Sequence, residues 1–424
     1  MIVRKGRPPC LPWGRAMEFK QKTLSNGLVL IGEVNPPAKS AAVGYFVRTG
    51  ARDETLDING VSHFLEHMLF KGTERLNSFQ VNEAFDSRGA QFNAFTSEEQ
   101  TVFYASVLPE YLVDITALWA ELMRPALRED DFTVEKNVIK EEIAMYQDTP
   151  TFDVVDRCRS LHFATHPCGY SVLGTNESVD ALTAEQMREY FARRYAPNNI
   201  IVACAGSFDW NRFCAVVEAA SGQWRAQEVG RPLSHFEGTR QKVRADKANL
   251  KREHICLMHA GVSAQDPRRF AASLLSMIVG DDYGSRFYWE LVDKALAEEA
   301  TMHYGPMDGT GLFYSYLRCG TPNAGRVVAI VGGIFRDLVA HGITGEELTK
   351  AKNKVLSALV LKNELPMGRL GDLGSNWMYL GEYRSIEADV EAIKALTVDD
   401  VNHIIQEIHL DSYTQYSLGP ATGI

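Results

Sequence analysis

Cysteine pairing is the first thing missing from this chain. Its seven cysteines (Cys10, Cys158, Cys168, Cys204, Cys214, Cys256 and Cys319) are odd in number and scattered, and none stands in a CxxC pair. That argues against a disulfide framework and a thiolate metal site, and fits a reducing compartment. Long apolar runs are missing too. None approaches the roughly 18–20 residues that cross a bilayer, so no membrane association is expected. Positive charge is in deficit: the formal net charge is -10, which argues against a nucleic-acid partner. The opening MIVRKGRPPCLPWGRAM has no acidic residue and no apolar core of a signal peptide. Residues 1–17 are therefore read as a disordered or non-native tail, with Met17 close to the true beginning. A cytoplasmic location is expected, periplasm and organelle being the other options.

What is present is a globular composition, 45% hydrophobic and 23% charged over 424 residues, too long for one typical core. TLSNGLVLIGEV places an Asn-Gly turn beside an apolar run and reads as a hairpin, and SAAVGYFVRTGAR reads as a further strand. Helices are expected from about Gly60, over NSFQVNEAFDSRGAQ up to Gly89, and over 110–124 and 128–147. QFNAFTSEEQTVFYASVL and NNIIVACAGS read as strands. Hairpins mixed with helices, without regular βαβ alternation, give an α+β fold with antiparallel sheets. The polar Gly- and Pro-containing stretch 229–246 is the expected linker between halves at 18–228 and 247–424. The halves resemble each other. FTVEKNVIKEEI at 132–143 matches LTKAKNKVLSAL at 348–359, an offset of 216, and LTAEQM at 182 matches LTVDDV at 396, an offset of 214. Two matches at nearly one offset indicate an internal duplication.

HFLEHMLFKGT at 63–73 carries the chemistry. On a helix, His63, Glu66, His67 and Phe70 fall within about 80° of one another, opposite the apolar Phe64, Leu65, Met68 and Leu69. Two imidazoles at i, i+4 can reach one metal ion, and a catalytic zinc takes three protein ligands. The third is sought on the helix at 128–147, whose apolar stripe is Phe132, Ile139, Ile143 and Tyr146. Glu135 and Glu142 lie on the flank of that stripe, within about 20° of each other, while Glu141 points roughly 100° further round. Glu142 is the expected ligand with Glu135 supporting it from behind; Glu141 is the alternative. In the second copy these positions become Ala351 and Ala358, and the segment matching the histidine helix, SLLSMIVGDDYGSR, has no histidine.

HFLEHMLFKGT followed by VEKNVIKEEIAMY resembles the signature of the pitrilysin/insulinase zinc metallopeptidases, the inverzincins, which invert HExxH. The likeness is greatest to short bacterial members and to the mitochondrial processing peptidase β subunit. The resemblance implies two related α+β halves forming a clamshell around a chamber. It also implies zinc held by His63, His67 and Glu142, with Glu66 as general base and Glu135 behind the site. QFNAFTSEEQT resembles the family's edge strand, on which the peptide substrate adds as an extra strand and meets Asn93, Ala94 and Phe95. The chain departs from the family at one place. Active members carry an arginine and, seven residues on, a tyrosine in the second half; aligned from Ser285-Arg286, those positions hold Val292 and Glu299, and a different gap reaches only Tyr304. The expected function is therefore that of the zinc-bearing subunit of a heterodimeric endopeptidase, its related partner supplying the Arg/Tyr clamp. Isolated chains have the option of pairing as a homodimer. The alternatives are a self-sufficient processing peptidase and a non-catalytic structural subunit of the same fold.

Overall fold

A computed structural model of the chain describes residues 17–421. The tail expected at 1–17 lies outside the described residues except for Met17. Strands β1 (Glu18–Thr23), β2 (Val29–Val34), β3 (Ala41–Val47), β4 (Gln91–Thr96), β5 (Thr101–Val107) and β6 (Ile200–Gly206) form one sheet in the order β1-β2-β6-β3-β5-β4. Strands β7 (Lys242–Asp246), β8 (Glu253–Gly261), β9 (Glu299–Pro306), β10 (Gly311–Cys319) and β11 (Thr414–Gly419) form a second, in the order β7-β11-β8-β10-β9. β2 runs parallel to β6, and every other pair in the first sheet is antiparallel. The second sheet repeats this, with β7 parallel to β11 and the rest antiparallel. Among the described residues only β1 lacks a counterpart. The fold is α+β with two related halves.

The expected linker needs correction. Residues 242–246 pair with β11 as β7, so the irregular connection ends at Gln241. A polar surface strand with alternating half-buried residues carries too little apolar signal to be separated from coil.

Five helices of the first half matter for the site: α1 (Val61–Leu69), α2 (Ser78–Asp86), α3 (Leu112–Leu122), α4 (Glu129–Asp148) and α5 (Pro150–Phe163). α4 matches the helix Gly345–Asn363 in position and in a small detail. Lys136 Nζ donates to the carbonyls of Asp180 and Leu182, and Lys352 Nζ donates to those of Lys394 and Leu396. Thr183 caps the next helix through Gln186 as Thr397 does through Asp400.

Both sheets are covered on two faces. β3, AAVGYFV, is buried at every residue. Its Val43, Tyr45 and Val47 join α1, α3 and α4 in one core, whereas Ala42 and Phe46 face Leu370, Leu373 and Met378 of the helix Pro366–Leu380. Gly374 lets that helix approach, since a Cβ there would lie 2.1 Å from the Phe46 ring. The exchange is reciprocal. Val154 and Cys158 of α5 pack on Cys256, Met258 and Leu418 of the second sheet. Each half thus lends one helix to the other's sheet. An ion pair fixes each loan: the buried Arg369 with Glu33 at 2.8 Å, and the buried Asp153 with the half-buried Lys247 at 2.8 Å.

Candidate metal centre and active site

α1 is built to present three polar side chains. Its N-terminus begins after Gly60, at φ 97°, and lacks a side-chain cap of its own. The buried Glu54 carboxylate takes that part, accepting from the N–H groups of Gly60 (2.7 Å) and Ser62 (2.8 Å). Phe64, Leu65, Met68 and Leu69 enter the core, and Phe64 stacks on Phe132 of α4 with ring centroids 4.7 Å apart. That packing docks α1 against α4 and turns His63, Glu66 and His67 toward a common space.

His67 Nε2 lies 3.3 Å from Glu142 Oε2, and His63 Nε2 lies 3.7 Å from the same oxygen. One donor atom from each of the three residues can be chosen so that all lie within 4.8 Å of one another. A tetrahedral zinc with bonds of about 2.0–2.2 Å sets its ligand atoms roughly 3.4 Å apart, so this donor set fits the ion with little adjustment. Two imidazoles, one carboxylate and a free fourth direction make the composition of a catalytic site. Glu135 stands on the α4 flank beside Glu142, as its spacing predicts. It is 4% exposed, and His67 Nδ1 donates to its Oε1 at 2.8 Å, which aims Nε2 at Glu142. Glu141 points to solvent, outside the cluster.

The electrostatics divide the residues by role. Burial, reinforced by the neighbouring His67, pushes His63 down to about 4 and keeps it a neutral donor. Burial also works to lower His67, but the Glu135 and Glu142 carboxylates outweigh it and raise it to about 9. Its hydrogen bond with His67 holds Glu142 below the usual carboxylate range. Glu66 behaves differently. Burial raises its pKa, only partly opposed by Thr96, whose Oγ1 donates to Oε2 at 2.6 Å. It belongs to none of the close donor contacts. A carboxyl beside a metal site, with raised proton affinity, suits a general base.

These residues line a cavity of about 650 Å³. Its floor is His63, Glu66, His67 and Glu142; β4 contributes Ala94, Phe95 and Thr96 to one wall, and α4, α5 and residues 171–175 complete it. β4 is the edge of its sheet. The Ala94 N–H is taken by the Asn93 side chain (2.9 Å), which places it on the open side of the strand. Asn93 and Phe95 are exposed, Phe95 at 42%.

Every residue lining this cavity comes from the first half. Val292 packs against the second half's core, Glu299 opens β9 and faces Arg318, and Tyr304 donates its hydroxyl to the Val262 carbonyl at 2.9 Å. None of them reaches the cavity. Sequence reasoning missed Lys71, Thr96 and Glu54. Lys71 Nζ pairs with Glu135 Oε2 and continues the four-residue spacing of His63 and His67, which is a readable signal. Thr96 stands two residues beyond Ala94, on the same strand face. Glu54 sits in a loop and offers no periodic signal.

Comparison with known proteins places this geometry. Residues 29–176 match the family described as Insulinase (Peptidase family M16), and residues 181–355 match the Peptidase M16 inactive domain. An uncharacterized zinc protease of Bacillus subtilis is 30% identical over 407 residues, covering 95% of this chain and 98% of that protein. A protease from Helicobacter pylori superposes with a TM-score of 0.87 at 21% identity, covering 96% of this chain and all of that one. A chain of Complex III2 from Candida albicans superposes with a TM-score of 0.81 at 20% identity, covering 94% and 95%. Zinc, the metal in the Bacillus relative's name, is the cofactor that the donor set fits. The chain belongs to the insulinase family of peptidases, M16.

Proposed function

We propose that this chain is the zinc-bearing subunit of an endopeptidase that hydrolyses peptides or unfolded segments, working with a related partner that supplies an arginine and a tyrosine. The observation that carries the reading is the three-donor cluster of His63, His67 and Glu142 beside an open sheet edge, with Glu66 next to it but outside the donor set. Bound zinc supplies Lewis acidity, lowering the pKa of water towards ~7 and polarising a peptide carbonyl. The chain's own residues do the rest. Glu66 takes a proton from the attacking water and returns it to the departing amine. Glu135 and Lys71 hold the His67 ring in register, and the β4 edge orients an extended peptide by main-chain pairing. A non-catalytic structural role gives no reason to keep His63, Glu66, His67, Glu135 and Glu142 together.

The need for a partner rests on the cavity walls, all from the first half, and on Val292 and Glu299, which offer no cation or phenol to a developing oxyanion. Losing one such donor typically costs ~10²–10³ in rate. Two experiments test the proposal. Glu66→Gln retains zinc by metal analysis and loses peptide hydrolysis by roughly 10²–10⁴-fold, whereas Glu142→Gln lowers bound zinc itself. Full activity in Glu66→Gln would remove the base. Mixing the chain with a related subunit that carries the Arg/Tyr pair raises hydrolysis of an unstructured peptide well above either protein alone. If the chain alone, as monomer or homodimer, matches the mixture, it is self-sufficient and the split site is wrong.

A further inference from the structure

The second half contributes no side chain to the metal-site cavity, yet it grips the hairpin that forms one of its walls. The grip is centred on Glu99, in the turn Ser97–Gln100 between β4 and β5. Glu99 is 2% exposed, and a glutamate is buried that far only when it is fully paired. Both of its oxygens accept from the backbone N–H of Asp308, at 3.0 Å each, in the turn that joins β9 to β10. Arg52 Nη1 donates to Glu99 Oε1 at 2.5 Å and to the Asp308 carbonyl at 2.6 Å. Arg231, from the connection between the halves, donates to the Glu99 carbonyl at 2.6 Å and pairs with Asp53 at 2.6 Å and Asp308 at 3.3 Å. The N–H groups of Ala51 and Arg52 hold the same turn, donating to the carbonyls of Ser97 and Glu98 at 3.3 and 2.8 Å.

Joining two halves does not by itself call for buried charge, because apolar packing of the same volume does as well without the cost of desolvation. What the cluster adds is direction. It fixes the end of a strand that has a neighbour on one side only. β4 ends three residues before Glu99, at Thr96, which donates to the proposed base Glu66 at 2.6 Å. A peptide that adds to β4 needs the strand's outer N–H and C=O groups already in register, since ordering them on binding weakens affinity. We infer that Glu99 is a positioning residue for the substrate: through it the second half, by way of the Asp308 N–H, holds the β4 edge ready for an extended peptide. The inference rests on the peptidase reading above and gives the second half a part in it.

The test compares two buried ion pairs that cross between the halves. Glu33 is also buried and also held by an arginine of the second half, Arg369, but it lies on β2, with β6, β3 and β5 between it and β4. Fluorescence anisotropy measures the Kd of a labelled unstructured peptide for zinc-loaded Glu66→Gln protein, alone and with each further substitution. Adding Glu99→Gln weakens peptide binding about tenfold or more, leaves zinc content unchanged, and speeds amide exchange over residues 91–101. Adding Glu33→Gln lowers the thermal midpoint but leaves the peptide Kd within about twofold. Arg52→Lys keeps the charge without the guanidinium fork and weakens peptide binding by about threefold, so it carries the same comparison if Glu99→Gln does not fold. Undiminished peptide affinity in Glu99→Gln would overturn the inference, as would an equal loss in Glu33→Gln, which would make the cluster a joint between halves and nothing more. Loss of zinc in Glu99→Gln would overturn it by moving the effect to α1, and insolubility of both Glu99→Gln and Arg52→Lys would make the cluster purely structural. Peptide hydrolysis that persists in Glu66→Gln would sink the proposed mechanism and leave the affinity comparison standing. Hydrolysis abolished by Glu66→Gln, with peptide affinity indifferent to Glu99→Gln, would do the reverse.

Discussion

Glu135 is where single-residue chemistry is easiest to isolate. It is nearly inaccessible, accepts from His67 Nδ1 at 2.8 Å, and its other oxygen is held by Lys71. Burial favours its neutral form, yet the two cationic partners win and keep its pKa below the ordinary carboxylate value. On the proposed zinc its effect is indirect: the contact turns His67 Nδ1 to Glu135 and leaves Nε2 facing Glu142. Glu135→Gln preserves shape and can still accept one hydrogen bond, but it removes the charge that raises His67 basicity. Zinc affinity is expected to fall about 10- to 100-fold, measured by competition with a chelating dye. An unchanged affinity would mean that Glu135 serves only packing. This role is legible in the sequence, because the seven-residue spacing from Glu142 puts both carboxylates on one flank of α4. Lys71 is legible in principle from the same arithmetic on α1. Glu54 is not, since a capping carboxylate in an irregular loop follows no period.

At the scale of elements, the sequence announces α1 and α4 through 3.6-residue patterning and the hairpin of β1 and β2 through Asn26-Gly27. It announces β4 and β5 by alternation, and the structure joins them through a turn at Ser97–Gln100. It does not announce β7, whose half-buried pattern is weak, nor which sheet α5 and the helix Pro366–Leu380 cover. An apolar helix face says only that it will be buried; the partner is decided by long-range pairs such as Arg369 with Glu33 that no local window contains. The edge position of β4 yields its own prediction. The Ala94 N–H is bonded to the Asn93 side chain and not to β5, so proline there sacrifices no ladder bond. Ala94→Pro is expected to fold and to bind zinc normally, yet to weaken peptide binding by about tenfold or more, because an added strand loses a donor and meets the ring. Peptide anisotropy alongside metal analysis checks it. Undiminished peptide affinity would move the substrate away from this edge.

For the whole molecule, the duplication seen in two short matches extends to strand order, helix caps and even the Lys136 and Lys352 contacts, while the cluster of proposed metal ligands occurs once among the described residues. The boundary between the halves is less simple than a linker. α5 belongs to the first half by sequence and to the second by packing, and Pro366–Leu380 is its mirror case. A fragment ending near Gln241 would leave Ile31, Ala42, Phe46, Val102, Ala203 and Ala205 uncovered on one sheet face, and would carry α5 with Val154 and Cys158 facing water. Glu33, 1% exposed in the intact chain, would lose Arg369. Stranding apolar sheet area of this extent normally drives association. Residues 17–241 expressed alone are therefore expected to aggregate or to bind a hydrophobic dye without cooperative unfolding, although they contain every proposed zinc ligand. Co-expression with residues 242–421 should restore a soluble complex that unfolds as one unit, because both exchanged helices regain their sheets. Size-exclusion chromatography and thermal unfolding decide the matter. A monodisperse 17–241 fragment with a sharp transition would show that the exchanged helices are ornament, and that each half carries enough core to fold alone.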